Sequence, residues 1–174
     1  MFLLSVMNEP LWARRKFFDS YGTRPYEQQA NLPPRGVRFS CPCCGYPTLG
    51  GRGECEICVL CSWEDDGQDA ADADEVRGGP NKGYSLTEAQ QNFETYLVKY
   101  PPADDTRIGG PDSEKVKELK GRLIATFEEM MKEPSAEELN LLWREVARCE
   151  RGLYLELKRS IAKHSQRSIH PHET

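Results

Sequence analysis

The chain has 174 residues, which fits one domain or one domain with a small attached module. That length is enough to bury a sizeable core, so the chain needs no disulfides merely to fold. Hydrophobic residues make up 38% and charged residues 29%, so the chain is not wholly disordered. The net charge of −5 disfavours nonspecific nucleic-acid binding, and no apolar run approaches the roughly 18 residues of a membrane span. The apolar start, residues 1–7, lacks a basic region, so we expect a cytoplasmic protein without a secretory signal.

Residues 1–36 are expected to be a partly extended N-terminal segment. A partial apolar face predicts a short helix between Met1 and Phe18, and the prolines and glycine that follow predict an extended connection. Arg14, Arg15 and Lys16 form a basic cluster within this helix. We interpret that cluster as a solvated helix face.

Six of the seven cysteines fall between Cys41 and Cys61. Cys41 and Cys44 form one C-x-x-C pair, Cys58 and Cys61 form another, and thirteen residues separate the pairs. This spacing is typical of a zinc ribbon, in which four thiolates surround one structural Zn²⁺. A short strand over residues 37–40 and a hairpin over residues 45–57 complete the predicted module.

Three cysteines are surplus to a four-thiolate site. Cys43 lies inside the first turn and is expected to point away from the metal, and Cys149 lies on a helix stripe. Cys55 also forms a C-x-x-C pair with Cys58, so Cys55 remains an alternative to one of the predicted metal ligands. A thiol redox function is an alternative because C-P-x-C is typical of thiol–disulfide enzymes, although Gly45-Tyr46-Pro47 is poor helix sequence.

The acidity of the chain lies near the cysteines, since residues 41–110 carry five Lys/Arg against thirteen Asp/Glu. Seven carboxylates fall within twelve residues of a predicted loop: Glu64, Asp65, Asp66, Asp69, Asp72, Asp74 and Glu75. Their spacing does not fit a calcium-binding loop. The remaining interpretations are a solvated acidic loop or a surface that binds the basic cleft of a protein partner.

The rest of the chain predicts helices. A capping box at Ser85–Glu88 begins a helix that ends near Tyr100, where the metal-binding module of residues 37–100 also ends. After a linker at 101–112, residues 113–164 predict an antiparallel helical hairpin with a turn at Pro134, and residues 165–174 a flexible tail. The apolar stripe of the second helix runs from Leu139 through Leu153, Leu157 and Ile161. The expected fold class is therefore α+β, a small zinc-ribbon-like module with an adjoining helix followed by the hairpin.

Residues 39–97 resemble the bacterial cysteine-rich CPCC family. The resemblance rests on Cys41-Pro42-Cys43-Cys44-Gly45-Tyr46, Glu56-Ile57-Cys58, Cys61, Trp63-Glu64-Asp65-Asp66, Gly78-Gly79-Pro80-Asn81, Ser85-Leu86-Thr87-Glu88-Ala89 and Asn92-Phe93. Val59 stands where the family has a proline. The resemblance implies a small zinc-binding domain, and a protein similar to those encoded beside secreted toxins.

No Ser/His/Asp or Cys/His arrangement is visible in the sequence, and all three histidines lie at or after His164. We therefore expect a non-enzymatic, zinc-stabilised binding protein, an immunity protein that neutralises a cognate toxin with a basic cleft. A nucleic-acid-associated zinc ribbon is a second alternative, and the acidic middle of the chain counts against it. No membrane partner is expected.

Overall fold

The computed structural model describes residues 9–20, 36–107 and 110–169. Four α-helices lie in these ranges: α1 (Glu9–Asp19), α2 (Leu86–Tyr96), α3 (Glu114–Met130) and α4 (Ala136–Ile169). Single 3-10 turns at Gly79–Asn81 and Pro102–Asp104 interrupt the connections. None of these helices is both long and apolar enough to cross a membrane. The predictions for residues 1–8, 21–35 and 170–174 lie outside the described residues.

The β-structure predicted for the cysteine-rich segment forms only in part, and no hairpin runs over residues 45–57. Pairing between extended segments is limited, within the described ranges, to two isolated antiparallel bridges, Phe39–Leu49 and Ile57–Glu64. Each bridge closes around one C-x-x-C pair, so the two halves of the segment fold separately instead of pairing as one hairpin. Gly53 and Cys55 have φ values of 69° and 59°, which break any extended strand between the two bridges.

The first two helices begin as the sequence indicates. Pro10 lies in the first turn of α1, where a missing amide hydrogen costs no intrahelical bond. The capping box of α2 is confirmed, because Glu88 N donates to Ser85 Oγ while the Glu88 side chain accepts from Ser85 N. Leu97, with φ of 58°, ends this helix and turns the chain back toward the cysteines.

The predicted helical hairpin is confirmed in α3 and α4. Leu119 lies against Gly152, and Arg122 pairs with Glu145. Residue numbers therefore increase along α3 as they decrease along α4, which makes the two helices antiparallel. A second capping box at Ser135 and Glu138 begins α4. The helix continues to Ile169, past the predicted end at residue 164, so residues 165–169 are helical where we expected a flexible tail.

The apolar stripe of α4 is buried for only part of its length. Leu139, Trp143 and Leu153 are buried, whereas Leu157 and Ile161 are 54% and 41% exposed. The prediction that the whole stripe packs in the hairpin is therefore wrong. Helix α3 is half as long as α4, and its contact with the α4 stripe ends near Leu153.

Among the described residues, a buried core joins the cysteine-rich segment to the helices. Tyr46, which follows the first pair of cysteines, stacks on Phe127 of α3 with ring centroids 5.4 Å apart. Phe18 of α1 packs edge-on against the same Phe127 ring at 5.6 Å. Arg38 forms a bidentate ion pair with Glu150 of α4. These contacts hold the cysteine pairs on a helical scaffold.

Candidate metal centre

The two C-x-x-C pairs adopt the same turn. Cys41 N donates to Tyr46 O at 2.9 Å and Gly45 N donates to Cys41 O at 2.8 Å. In the second turn Cys58 N donates to Trp63 O and Ser62 N donates to Cys58 O, at 2.8 and 3.0 Å. The residue after each second cysteine is left-handed, with φ of 79° at Gly45 and 64° at Ser62. Each turn points both of its cysteine side chains at a common centre.

The four sulfur atoms fit one tetrahedral metal ion. All lie within 4.8 Å of one another, and the Cys41–Cys61 and Cys44–Cys58 Sγ distances are 3.6 and 3.7 Å. A disulfide would require an S–S distance of about 2.05 Å. Four sulfurs at about 2.3 Å from a tetrahedral zinc ion lie about 3.8 Å apart, which these distances match. The structure thus brings together Cys41, Cys44, Cys58 and Cys61, the set predicted from spacing.

The four thiols are shielded from water, each with 1% or less of its surface exposed. Burial raises the pKa of the Cys41, Cys44 and Cys61 thiols well above the usual value in the metal-free protein. Burial also acts to raise the pKa of Cys58, but hydrogen bonds with its three neighbours outweigh it and lower that pKa. Thr48 Oγ1 lies 3.0 Å from the Cys58 sulfur and completes its environment. Metal binding here must therefore displace thiol protons.

Comparison with known families agrees with this geometry. Residues 39–100, about a third of the chain, match the family model described as Cysteine-rich CPCC. Residues 39–100 are a cysteine-rich CPCC domain. No curated protein and no solved structure matches the chain. The family match and the metal-binding geometry thus fall on the same segment, and the predicted resemblance is confirmed.

The surplus cysteines of the CPCC domain have different surroundings. Cys43 is buried and not one of the four converging thiols, yet it interacts electrostatically with Cys61. It is therefore a buried neighbour of the centre and not a member of the converging set, as we expected for the ligand assignment. Cys55 is exposed and left-handed, and it also lies outside the converging set. Cys149 is buried on α4, as its place in the helix stripe indicates.

Several carboxylates of the acidic loop in the CPCC domain form ion pairs with arginine side chains, so the loop is not uniformly solvated. Asp65 is fully buried, and its Oδ2 accepts from Arg52 Nε at 2.9 Å and from Gly53 N at 2.8 Å. Asp69 accepts two hydrogen bonds from Arg15 of α1, at 2.7 and 2.9 Å. Burial acts to raise the pKa of Asp69, but these bonds outweigh it and lower the pKa to about 2.

The other five carboxylates differ in accessibility. Arg77 pairs with Asp72 and approaches Asp66 at 3.9 Å, and Glu64 is half-buried. Asp74 and Glu75 are exposed, although Asp74 Oδ1 accepts from Thr87 Oγ1 at 2.6 Å. Because Asp65 is enclosed by protein, it cannot contact a partner in this conformation. Burial therefore removes Asp65 from the predicted surface, whose most exposed residues are Asp74 and Glu75.

The sequence patterns did not identify the side chains that tie this loop to its surroundings. Arg15 belongs to a basic cluster that was interpreted as a solvated face, and Arg14 beside it is buried and pairs with Glu94 of α2. The Arg14 guanidinium also lies 4.9 Å from the centroid of the Tyr46 ring. The one available signal was charge, because a basic N-terminal segment precedes an acidic middle, but charge alone does not pair individual residues.

Proposed function

We propose that the protein is a zinc-stabilised, non-catalytic binding protein, and that it acts as an immunity protein that neutralises a cognate bacterial toxin by direct binding. The cluster of four buried sulfur atoms supports the first part of this proposal, that the protein binds zinc without catalysing a reaction. Catalytic zinc sites keep one position for water or substrate, whereas four cysteine ligands fill all positions. A tetrahedral set of soft sulfur donors favours zinc over magnesium or calcium.

When bound, zinc would supply folding free energy, on the order of 10 kcal/mol in small zinc modules. Cys41, Cys44, Cys58 and Cys61 would hold the ion between two turns that share little backbone pairing. This contribution would stabilise a segment that, within the described residues, has two isolated bridges and no longer strand pairing. The metal centre then acts as a rigid support for the loop that begins directly after Cys61.

The zinc assignment is tested by metal analysis of protein purified without chelator. We expect about one zinc per chain, and loss of zinc and of the folded CPCC domain in Cys44→Ser and Cys61→Ser. Cys43→Ser and Cys55→Ser are the matched controls, because both lie outside the converging set, and we expect them to retain zinc. Retention in Cys44→Ser with loss in Cys43→Ser would refute the ligand assignment. A zinc content near zero in the unaltered protein would favour the thiol redox alternative.

The proposed contact surface for the toxin is the exposed end of the acidic loop. This loop is fixed at several points: Gln68 Nε2 donates to the Asp72 and Glu75 carbonyls, and Thr87 N donates to Ala73 O. A surface that is already ordered pays less conformational entropy when it binds a partner. Carboxylates at Asp74 and Glu75 would attract a basic cleft and speed the encounter.

Co-expression with the product of the adjacent gene tests the immunity role. We expect a purified complex and relief of toxicity, and the absence of both would refute the proposal. Replacing Asp74 by Asn and Glu75 by Gln together should lower the association rate on the order of tenfold at low salt, with a smaller effect at high salt. Glu129→Gln, which changes an exposed carboxylate on α3, is the control and should leave the rate unchanged.

A further inference from the structure

A cavity of about 470 Å³ lies between the cysteine-rich segment and α4. Arg38 and Glu150, which line it from the two elements, form the bidentate ion pair that joins them, so the cavity is already formed in the free chain. Its apolar walls come from five side chains: Val37, Leu49, Ile57, Val59 and Tyr154. Ile57 and Tyr154 are 60% and 54% exposed. The cavity therefore presents apolar side chains at an accessible surface, and its size is that of a binding pocket.

The apolar surface continues from the cavity along α4. Leu157 and Ile161 follow Tyr154 at positions i+3 and i+7, so the three side chains lie on one face of the helix. All three are exposed, because the contact with α3 ends near Leu153. We call the cavity together with Leu157 and Ile161 the α4 groove. A contiguous exposed apolar surface of this kind is typical of an interaction site.

A row of cations runs beside the α4 groove. Arg151 and Lys158 are two turns apart on α4, and each is three or four positions from Tyr154, so they lie next to the apolar stripe. Both are exposed, and neither has a hydrogen bond or ion pair with another described residue. The Lys158 ammonium lies over the Tyr154 ring, 4.7 Å from its centroid. Residues 151–169 carry five Lys/Arg and one Glu, in a chain whose net charge is −5.

The carboxylates that line the cavity do not neutralise this row of cations. Glu150 is held by Arg38, and Glu56 Oε2 accepts from Gly50 N at 2.6 Å. Neither carboxylate forms an ion pair with Arg151 in the described part of the chain. The side chains of Arg151 and Lys158 are therefore available to carboxylates of a partner.

Charge and shape distinguish the occupants that an apolar groove of this kind could take. A second copy laid along the same stripe would bring the cations of residues 151–169 together, and like charges across an interface are unfavourable. A flat membrane surface does not fill a concave cavity. An amphipathic helix fits both features, since its apolar side chains recur at the i, i+3 and i+7 spacing of the stripe and its flanks can carry charge.

We propose that the α4 groove binds an amphipathic helix of a protein partner. One apolar side chain of that helix fills the cavity, and the next ones along its apolar face cover Leu157 and Ile161. Carboxylates on its flank face Arg151 and Lys158, which sets the orientation of the helix on α4. The groove shares no residue with the pair Asp74 and Glu75, so this surface is additional to the one proposed for the toxin.

The probe is a synthetic helical peptide of about 18 residues, or five turns, with leucine at i, i+3, i+4 and i+7 spacing and glutamate on the flanks. Fluorescence anisotropy of the labelled peptide measures its dissociation constant from the full-length chain at low ionic strength. We expect saturable binding. A matched peptide with lysine in place of glutamate should bind at least about tenfold more weakly, because it meets Arg151 and Lys158 with like charge.

Two variants of the groove have matched controls on the same helix. Leu157→Gln should weaken peptide binding on the order of tenfold, whereas Leu141→Gln should not, although Leu141 is as exposed at 58%.

The double variant Arg151→Gln and Lys158→Gln should weaken binding about tenfold at low salt and less at high salt. Its control is Arg144→Gln with Lys163→Gln, since both of these cations are exposed on α4 outside the groove. All four variants change exposed side chains, and their circular dichroism should match that of the unaltered protein.

Several results would overturn the inference. The glutamate peptide may fail to bind or bind no better than the lysine peptide, and the groove variants may lose no more affinity than their controls. Phosphatidylglycerol vesicles and a short duplex DNA are tested with the same variants. If either binds through Arg151 and Lys158 while the peptide does not, the surface belongs to a membrane or nucleic acid instead. A dimer of the chain alone that Leu157→Gln dissociates, seen by sedimentation velocity, would assign the groove to a second copy.

Discussion

At the scale of single residues, the two cysteine turns differ most after their second cysteine. Gly45 has φ of 79°, and a Cβ added there would lie 3.0 Å from Arg14 Cβ and from Leu11 Cδ1 of α1. Ser62 takes the equivalent left-handed position in the second turn, with φ of 64°. A residue with a Cβ carries a cost of roughly 1 kcal/mol or more in this conformation.

Opposite substitutions at these two positions should therefore change stability in opposite directions. Gly45→Ala should lower the free energy of unfolding by about 1–3 kcal/mol, because it combines an unfavourable φ with contacts to α1. Ser62→Gly should raise that free energy by up to about 1 kcal/mol, since glycine relieves the left-handed strain. Urea unfolding of both variants, with the proposed zinc supplied in excess, measures the difference. A stabilising Gly45→Ala would contradict the assigned role of the glycine.

The buried Asp65 gives a second prediction at this scale. Asp65→Asn removes the charge that balances Arg52, and we expect a loss of about 2–3 kcal/mol in the free energy of unfolding. Glu75→Gln changes an exposed carboxylate in the same loop and should have an effect within about 0.5 kcal/mol. Thermal and urea unfolding at neutral pH measure both. Equal effects would show that the two carboxylates are equally solvated.

These residues mark what local patterns can and cannot predict. The four converging cysteines follow from spacing, because a C-x-x-C turn directs both side chains to one point regardless of the rest of the fold. The burial of Asp65 does not follow, since an aspartate is usually exposed and its partner Arg52 lies in a different turn. Arg14 and Arg15 form ion pairs with residues far away in the sequence, and helix periodicity does not predict such tertiary contacts.

At the scale of elements, the helices were predictable and the β-structure was not. Capping boxes at Ser85 and Ser135 depend on residues three positions apart, so the sequence alone locates both helix starts. The expected hairpin required residues 45–57 to pair as two strands. Instead, the left-handed residues Gly53 and Cys55 turn the chain, and each bridge closes its own cysteine turn.

The length mismatch between α3 and α4 gives a prediction at the element scale. Leu153→Ala should lower the free energy of unfolding by about 2–4 kcal/mol, because Leu153 is buried where the two helices meet. Leu157→Ala, one turn further along the same stripe, should change it by less than about 0.5 kcal/mol because Leu157 is largely exposed. Unfolding of the two variants under identical conditions measures the contrast. Similar losses in both would mean that the stripe is covered beyond Leu153.

At the scale of the whole molecule, the metal centre and the helical hairpin share one core. Cys41, Cys44, Cys58 and Cys61 belong to the same buried cluster as Phe127 of α3. Tyr46 is the main link, since it follows the first cysteine turn, stacks on Phe127 and donates a hydrogen bond to Glu128. Folding of the centre and packing of the hairpin are therefore expected to be coupled.

Removal of the proposed zinc ion should consequently destabilise the helices as well as the CPCC domain. With excess chelator at neutral pH, we expect the helical circular dichroism signal and the tryptophan fluorescence to be lost together, in one transition at a lower temperature. Phe127→Ala, which removes the ring between Tyr46 and the hairpin, should retain zinc but separate the two signals into distinct transitions. A chelated protein that keeps its full helical signal would show instead that the hairpin folds independently, and that the shared core transmits no stability from the metal centre.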